Sequence, residues 1–118
     1  MEIILHITRR DQWDRAKAVG LYDTPSLYSQ GFIHCSKPDQ VIAVANFLFH
    51  GQTDLVLLCI STERVEAEIR YENLEGGDQR FPHIYGPLNL NAVTKALDFE
   101  PRSDGTFVLP EELVPDGS

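Results

Sequence analysis

Leu55, Val56, Leu57, Leu58, Cys59 and Ile60 follow one another without a polar interruption, and this run constrains the fold more than any other stretch of the chain. A strand with one wet face alternates apolar and polar residues, whereas one that does not alternate is covered on both faces. Residues 54–60 are therefore expected to form a strand buried on both sides. The run is far shorter than the roughly 20 apolar residues that cross a bilayer. Cys59 within it behaves as a small hydrophobe. Cys35 is the only other cysteine, and the pair reads as two reduced, buried thiols rather than a disulfide.

The rest of the chain supplies short elements around that strand. Residues 2–7 read as a strand, and Thr8 with Asp11 has capping-box spacing for a helix. That helix shows Trp13, Ala16 and Lys17 on one face and stops at Gly20. Residues 21–30 read as a loop rich in turn residues. Residues 31–35 read as a second strand, followed by Ser36 as the N-cap of a helix with Pro38 in its first turn. Val41, Val44, Ala45 and Leu48 give that helix an apolar face, and Gly51 ends it. After a turn near residues 62–65, residues 68–72 alternate like a half-exposed strand, and Gly76-Gly77 marks a loop. Residues 81–87 are extended, residues 91–93 form a helical turn, and residues 94–99 and 106–109 read as strands. The acidic tail, residues 110–118, is expected to be loosely ordered. Strands outnumber helices, both main helices lie in the first half, and no repeat or linker interrupts the 118 residues. The expectation is one α+β domain over residues 1–118 with a mostly antiparallel sheet.

A formal net charge of -8 repels a phosphate backbone at long range. The basic cluster of Arg9, Arg10, Arg15 and Lys17 is thin for a nucleic-acid groove, so duplex nucleic acid is excluded as a partner. A small anionic ligand held by one or two arginines is not. The N-terminal residues have neither a basic region nor a long apolar run, so a cytoplasmic protein without membrane contact is expected. The oligomeric state is left open.

Strand parity separates candidate site residues from core residues. With Ile3, Leu5 and Ile7 inward, Ile4, His6 and Thr8 share the opposite face. With Ile33 and Cys35 inward, Phe32, His34 and Ser36 face away. Phe81, His83 and Tyr85 share a face opposite Ile84. Three strands thus each carry one histidine beside a polar or aromatic companion, and the three are expected to line one cleft. A neutral imidazole can orient a hydroxyl or shuttle a proton there. The competing reading makes each a structural histidine bonded to a nearby carbonyl. His34 and Cys35 diverge, which argues against a cysteine nucleophile with a histidine base. No two histidines have the short spacing that metal sites often use, so no metal is expected. His50 sits at a helix end beside Gly51, where a cation suits the helix dipole.

The strings Leu5-His6-Ile7-Thr8, Gly31-Phe32-Ile33-His34-Cys35-Ser36 and Phe81-Pro82-His83-Ile84-Tyr85-Gly86-Pro87-Leu88 resemble the signatures of the domain-of-unknown-function 952 family, from about Ile3 to Leu109. That family is bacterial and plant-distributed and has no established activity to carry over. The order of His6-Ile7-Thr8, helix, loop, residues 31–35 and second helix also resembles the ADP-ribosyltransferase superfamily. This second likeness implies a split, mostly antiparallel sheet with two main helices. It implies His6 and Thr8 on the ribose or amide of NAD, and residues 31–36 as a pocket wall. The chain departs from that pattern in three places. Ile7 stands where a small glycine is usual, Ile33 or His34 stands where a stacking tyrosine is usual, and no late-strand glutamate is evident. In the RNA 2′-phosphotransferase branch His and Arg residues act instead, a part open here to Arg70 or Arg80.

The enzyme reading is a NAD- or nucleotide-processing transferase or glycohydrolase. It has His34, Ser36 and His83 as catalytic residues and His6, Thr8 and Tyr85 as ligand-binding residues. The alternative is a non-catalytic module binding a small ligand in the same cleft. A third reading makes the three segments fold signatures only.

Overall fold

A computed structural model describes residues 2–74 and 77–114. Gly76 of the Gly76-Gly77 pair and residues 115–118 of the acidic tail lie outside the described residues. The fold is α+β, with antiparallel strands and few helices. β1 (Ile3–Arg9), β4 (Leu55–Ser61) and β8 (Val93–Phe99) form one sheet in the order β1-β4-β8. β3 (Ile33–His34), β6 (Phe81–Tyr85) and β5 (Glu68–Glu72) form a second, in the order β3-β6-β5. β2 (Leu21–Tyr22) pairs with β7 (Leu88–Asn89). The helices are α1 (Arg10–Val19), α2 (Pro25–Ser29) and α3 (Val41–Leu48).

β4 is paired along both edges and buried along its whole length, as its unbroken apolar run requires. Its alternate side chains enter two separate cores. Val56, Leu58 and Ile60 meet Trp13 and Ala16 of α1 together with Ile33, Ile84 and Leu88. Leu55, Leu57 and Cys59 meet Val41 and Ala45 of α3, Phe99 and Phe107. Each fully buried aliphatic side chain contributes about 1.5–3 kcal/mol, so this one strand anchors both layers.

Several local expectations give way to tertiary demands. Thr8 does not cap α1. Pairing of β1 with β4 runs on to Arg9, and the Thr8 side chain turns inward to Tyr22 and Gln12. Ser36 does not cap α3 either, because its backbone pairs with Leu5 and the helix starts only at Val41. Residues 21–30 are not a plain loop. They hold β2 and the single-turn α2, whose Pro25 occupies the first turn, where proline is favoured. The second face of β1 is not a free cleft wall, since Ile4 fills the first core and Thr8 is buried. α3 buries Val41 and Ala45, while Leu48 is 59% exposed.

Residues 106–109 are extended but have no ladder partner among the described residues. They act as a strap. Phe107 stacks on Phe99 with ring centroids 4.7 Å apart, and its N–H donates to the Asn46 side chain. At the chain end Glu111–Leu113 is a 3₁₀ turn, with Leu113 packed on the second core. No described helix is long and apolar enough to cross a membrane.

Phe107→Ala should cost about 3–5 kcal/mol in urea unfolding, because it opens a cavity against Phe99. Phe47→Ala, at a ring that is 85% exposed, should change stability by no more than about 0.5 kcal/mol. Equal losses in the two variants would show that the strap does not close the second core.

Candidate functional site

Among the described residues, the backbones of the two larger sheets are bridged at one residue pair. Leu5 N–H donates to the Ser36 carbonyl at 2.7 Å, and Ser36 N–H returns the bond at 2.8 Å. Continued in antiparallel register, the next such pair would be Ile7 with His34. It does not form. β1 stays with β4, β3 follows β6 through the Ile33–Ile84 and His34–His83 pairs, and the sheets fork.

His6 sits in the crotch. Its Nδ1–H donates to the His34 carbonyl at 2.5 Å, taking the place of the backbone donor that the fork removes. Its Nε2 lies 2.7 Å from the Tyr22 hydroxyl, which is 2.8 Å from Thr8 Oγ1, itself 3.0 Å from the Gln12 amide. If this chain ran from Tyr22 to Thr8 to Gln12, Nε2 would also have to donate and His6 would be an imidazolium. A half-turn of the Gln12 amide reverses the chain and lets Tyr22 donate to a neutral ring. Burial decides the direction. It pulls the His6 pKa down to about 4, against the opposing effect of the His34 carbonyl bond. Near neutral pH the chain therefore runs from Gln12 through Thr8 and Tyr22 to His6 and ends on His34.

His83 is arranged differently. It is 1% exposed, packed on Phe32 with centroids 4.3 Å apart and edge-on to His34 at 5.4 Å. Its Nδ1 lies 3.0 Å from a Glu72 carboxylate oxygen, which also accepts from the Tyr85 hydroxyl at 2.5 Å. Those two bonds, Tyr85 first, hold the Glu72 carboxyl below the usual carboxylate range. The Arg70 guanidinium lies over the Tyr85 ring at 4.5 Å and pairs with Glu68. His83 Nε2 is buried without a hydrogen-bond partner among the described residues. His34 Nε2 lies 2.6 Å from the Gln30 side-chain oxygen.

A pocket of about 550 Å³ opens at the fork. His6, His34 and His83 line it together with Ser26 and Ser36, and the end of α3 supplies Phe47, Leu48 and Phe49 as an apolar wall. Of the residues singled out in the sequence, His6, His34, Ser36 and His83 meet here. Thr8 lies behind His6, and Tyr85 lies behind Glu72, so neither lines the pocket. Arg70 and Arg80 are not among its lining residues either, and among the described residues no lysine, arginine or carboxylate is. His50 lies away from it, against Gly105. Among the described residues no group of three potential ligands could hold a metal ion. Both cysteines are free and buried, and burial raises the thiol pKa of each, that of Cys59 to about 11. Neither is an activated nucleophile.

Glu72, Gln30 and Tyr22 were not singled out in the sequence. The only signal for Glu72 was parity with Glu68 and Arg70 on one strand. Its meeting with His83 depends on the register between β5 and β6, which places Arg70 opposite His83 and Glu72 opposite Phe81.

The model of the family described as protein of unknown function (DUF952) matches residues 7–96. The crystal structure of protein CC0527 from Caulobacter crescentus is 36% identical, with a TM-score of 0.85, covering 96% of this chain and 99% of that one. A solution NMR structure of CC0527, again 36% identical, gives a TM-score of 0.83 and covers 97% and 98%. No functionally curated protein matches the chain.

The buried, neutral His6 makes stability depend on pH. Its folded pKa of about 4 lies below the ordinary 6.5, so between those values the unfolded chain binds the extra proton. Stability should be complete above about pH 6.5 and fall by roughly 3 kcal/mol as pH drops toward 4. Urea unfolding of wild type and His6→Gln across this range checks it, since the variant should lack that component of the slope. Superimposable pH profiles would mean that His6 does not enter the folded state neutral.

Proposed function

The chain belongs to the DUF952 family of proteins of unknown function, and on that premise we propose that the fork pocket binds the uncharged ring-and-ribose end of a nucleotide, with NAD the leading candidate. The observation that carries this reading is the free edge of β1. Leu5 sends both its N–H and its C=O to Ser36, and backbone groups two residues apart in a strand point the same way. The N–H and C=O of Ile7 therefore face the fork, where no ladder partner meets them among the described residues. A donor and an acceptor side by side on an edge fit a primary carboxamide such as that of nicotinamide. Ile7 in place of glycine is no obstacle, because its side chain packs into the second core, out of the plane of the edge. Phe47 and Phe49 offer apolar surface to a flat ring, and the absence of lysine and arginine from the lining among the described residues suits an uncharged moiety, with phosphates left outside.

In the enzymatic form of this proposal the pocket is an ADP-ribosyltransferase-like site. The bond between nicotinamide nitrogen and ribose C1′ breaks, and nicotinamide leaves with the electron pair. Water or an acceptor hydroxyl bonds to C1′ and gives its proton to a histidine, with His83 or His34 as the base and Ser36 beside them. His6, braced by Thr8, forms the floor, and Tyr85 braces the far wall through Glu72. A second reading, binding without turnover, is favoured by one specific observation: among the described residues no carboxylate lines the pocket to stabilise a positively charged ribosyl centre.

Nicotinamide should perturb the Ile7 amide resonance, and nicotinic acid should bind at least about tenfold more weakly, because its carboxylate faces the Ile7 carbonyl and has no N–H to offer. Equal binding of the two, or nicotinamide binding that leaves Ile7 unmoved, would overturn the proposed site. Release of nicotinamide from NAD during incubation separates the enzyme from the binder.

A further inference from the structure

We propose that Glu72, braced by Tyr85, is a positioning residue that fixes the tautomer of His83, so that His83 Nε2 stands in the pocket as a bare acceptor for an O–H or N–H group of the bound molecule. The inference deepens the reading of the fork pocket as a ligand site and rests on it for the identity of that molecule.

The argument begins with the carboxylate. An ionised Glu72 can only accept, and Nδ1 of His83 lies 3.0 Å from it. Nδ1 therefore carries the proton, and in the neutral ring Nε2 keeps a lone pair. The alternative neutral tautomer would set two acceptors against each other. Tyr85 removes the remaining freedom by donating to the same carboxylate oxygen at 2.5 Å. The Tyr85 ring in turn lies under the Arg70 guanidinium. The ring of His83 is also fixed from its faces, with Phe32 packed on it and His34 edge-on. Its position, orientation and protonated nitrogen are thus all set by neighbours.

Against this, Nε2 is buried and meets no partner among the described residues. Burying an acceptor unsatisfied is a cost that folded proteins rarely accept without a use. A residue kept only for packing between Phe32 and His34 would need no such nitrogen. His6 supplies the contrast within the same pocket, since both of its nitrogens are bonded inside the protein. The arrangement at His83 matches the logic by which a carboxylate orients a histidine base: one nitrogen is held, the other is left for the reacting proton. The class of ligand follows. It presents a hydroxyl or N–H donor to Nε2, and a group that is only an acceptor is refused there.

Long-range proton–nitrogen NMR of the histidine rings at pH 8 tests this without any ligand. His83 should carry its proton on Nδ1 in wild type and in Tyr85→Phe. In Glu72→Ala the proton should move to Nε2, the form that an unconstrained imidazole prefers. A proton on Nε2 of wild-type His83 overturns the inference, as does a Glu72→Ala protein with the tautomer unchanged. NAD supplies the second arm. The His83 Nε2 resonance should shift on binding, and Glu72→Ala should bind NAD roughly tenfold more weakly, the worth of one hydrogen bond. NAD binding that moves the Ile7 amide but leaves Nε2 in place overturns the inference and spares the proposed site. No response to NAD, with the tautomers as stated, supports the role of Glu72 and removes NAD alone.

Discussion

Everything in this molecule is arranged around the short contact between β1 and β3. Among the described residues antiparallel pairing there lasts for one residue pair, Leu5 with Ser36 just beyond the end of β3. Beyond it the strands must diverge, because β1 is committed to seven residue pairs with β4 and β3 is committed to β6. A fork of this kind leaves backbone groups without ladder partners, and buried groups of that sort need a substitute. At His34 the substitute is the His6 ring. At Ile7 no group among the described residues takes the place, and a pocket lies there instead.

The three pocket histidines illustrate how hydrogen-bond accounting separates structure from chemistry. His6 is engaged at both nitrogens and is held neutral by burial, so it works as a joint between the sheets. Among the described residues His83 is engaged at one nitrogen only. His34 reaches Gln30 from the rim and lends its carbonyl to His6. A shared residue type and a shared pocket therefore do not imply a shared task. The task is set by what each ring nitrogen meets.

Much of the site was legible one strand at a time. Alternation placed Phe32, His34 and Ser36 on one side of their strand and Phe81, His83 and Tyr85 on one side of theirs. The ring contacts among Phe32, His34, His83 and Tyr85 follow from those two strands being neighbours. The same reasoning held only in part for β1, where His6 of the face assigned to a cleft lines the pocket, while Ile4 fills the first core and Thr8 is buried. Alternation separates two faces but cannot say what covers each. Cap signals at Thr8 and Ser36 failed for a related reason: both residues have good local capping chemistry, and both are drawn into longer-range bonds that outweigh it.

The sequence by itself determined the α+β composition, the doubly buried central strand and the parity of the histidine-bearing strands. These follow from interactions between residues a few positions apart, through side-chain alternation and the hydrophobicity of a continuous run. Only the tertiary structure decided where the sheets part, that Glu72 stands behind His83 and that Tyr22 and Gln12 stand behind His6. Those partners stand on other elements, Glu72 on β5, Gln12 on α1 and Tyr22 on β2, and they meet through how those elements pair and pack, which both cores fix at once rather than any local pattern.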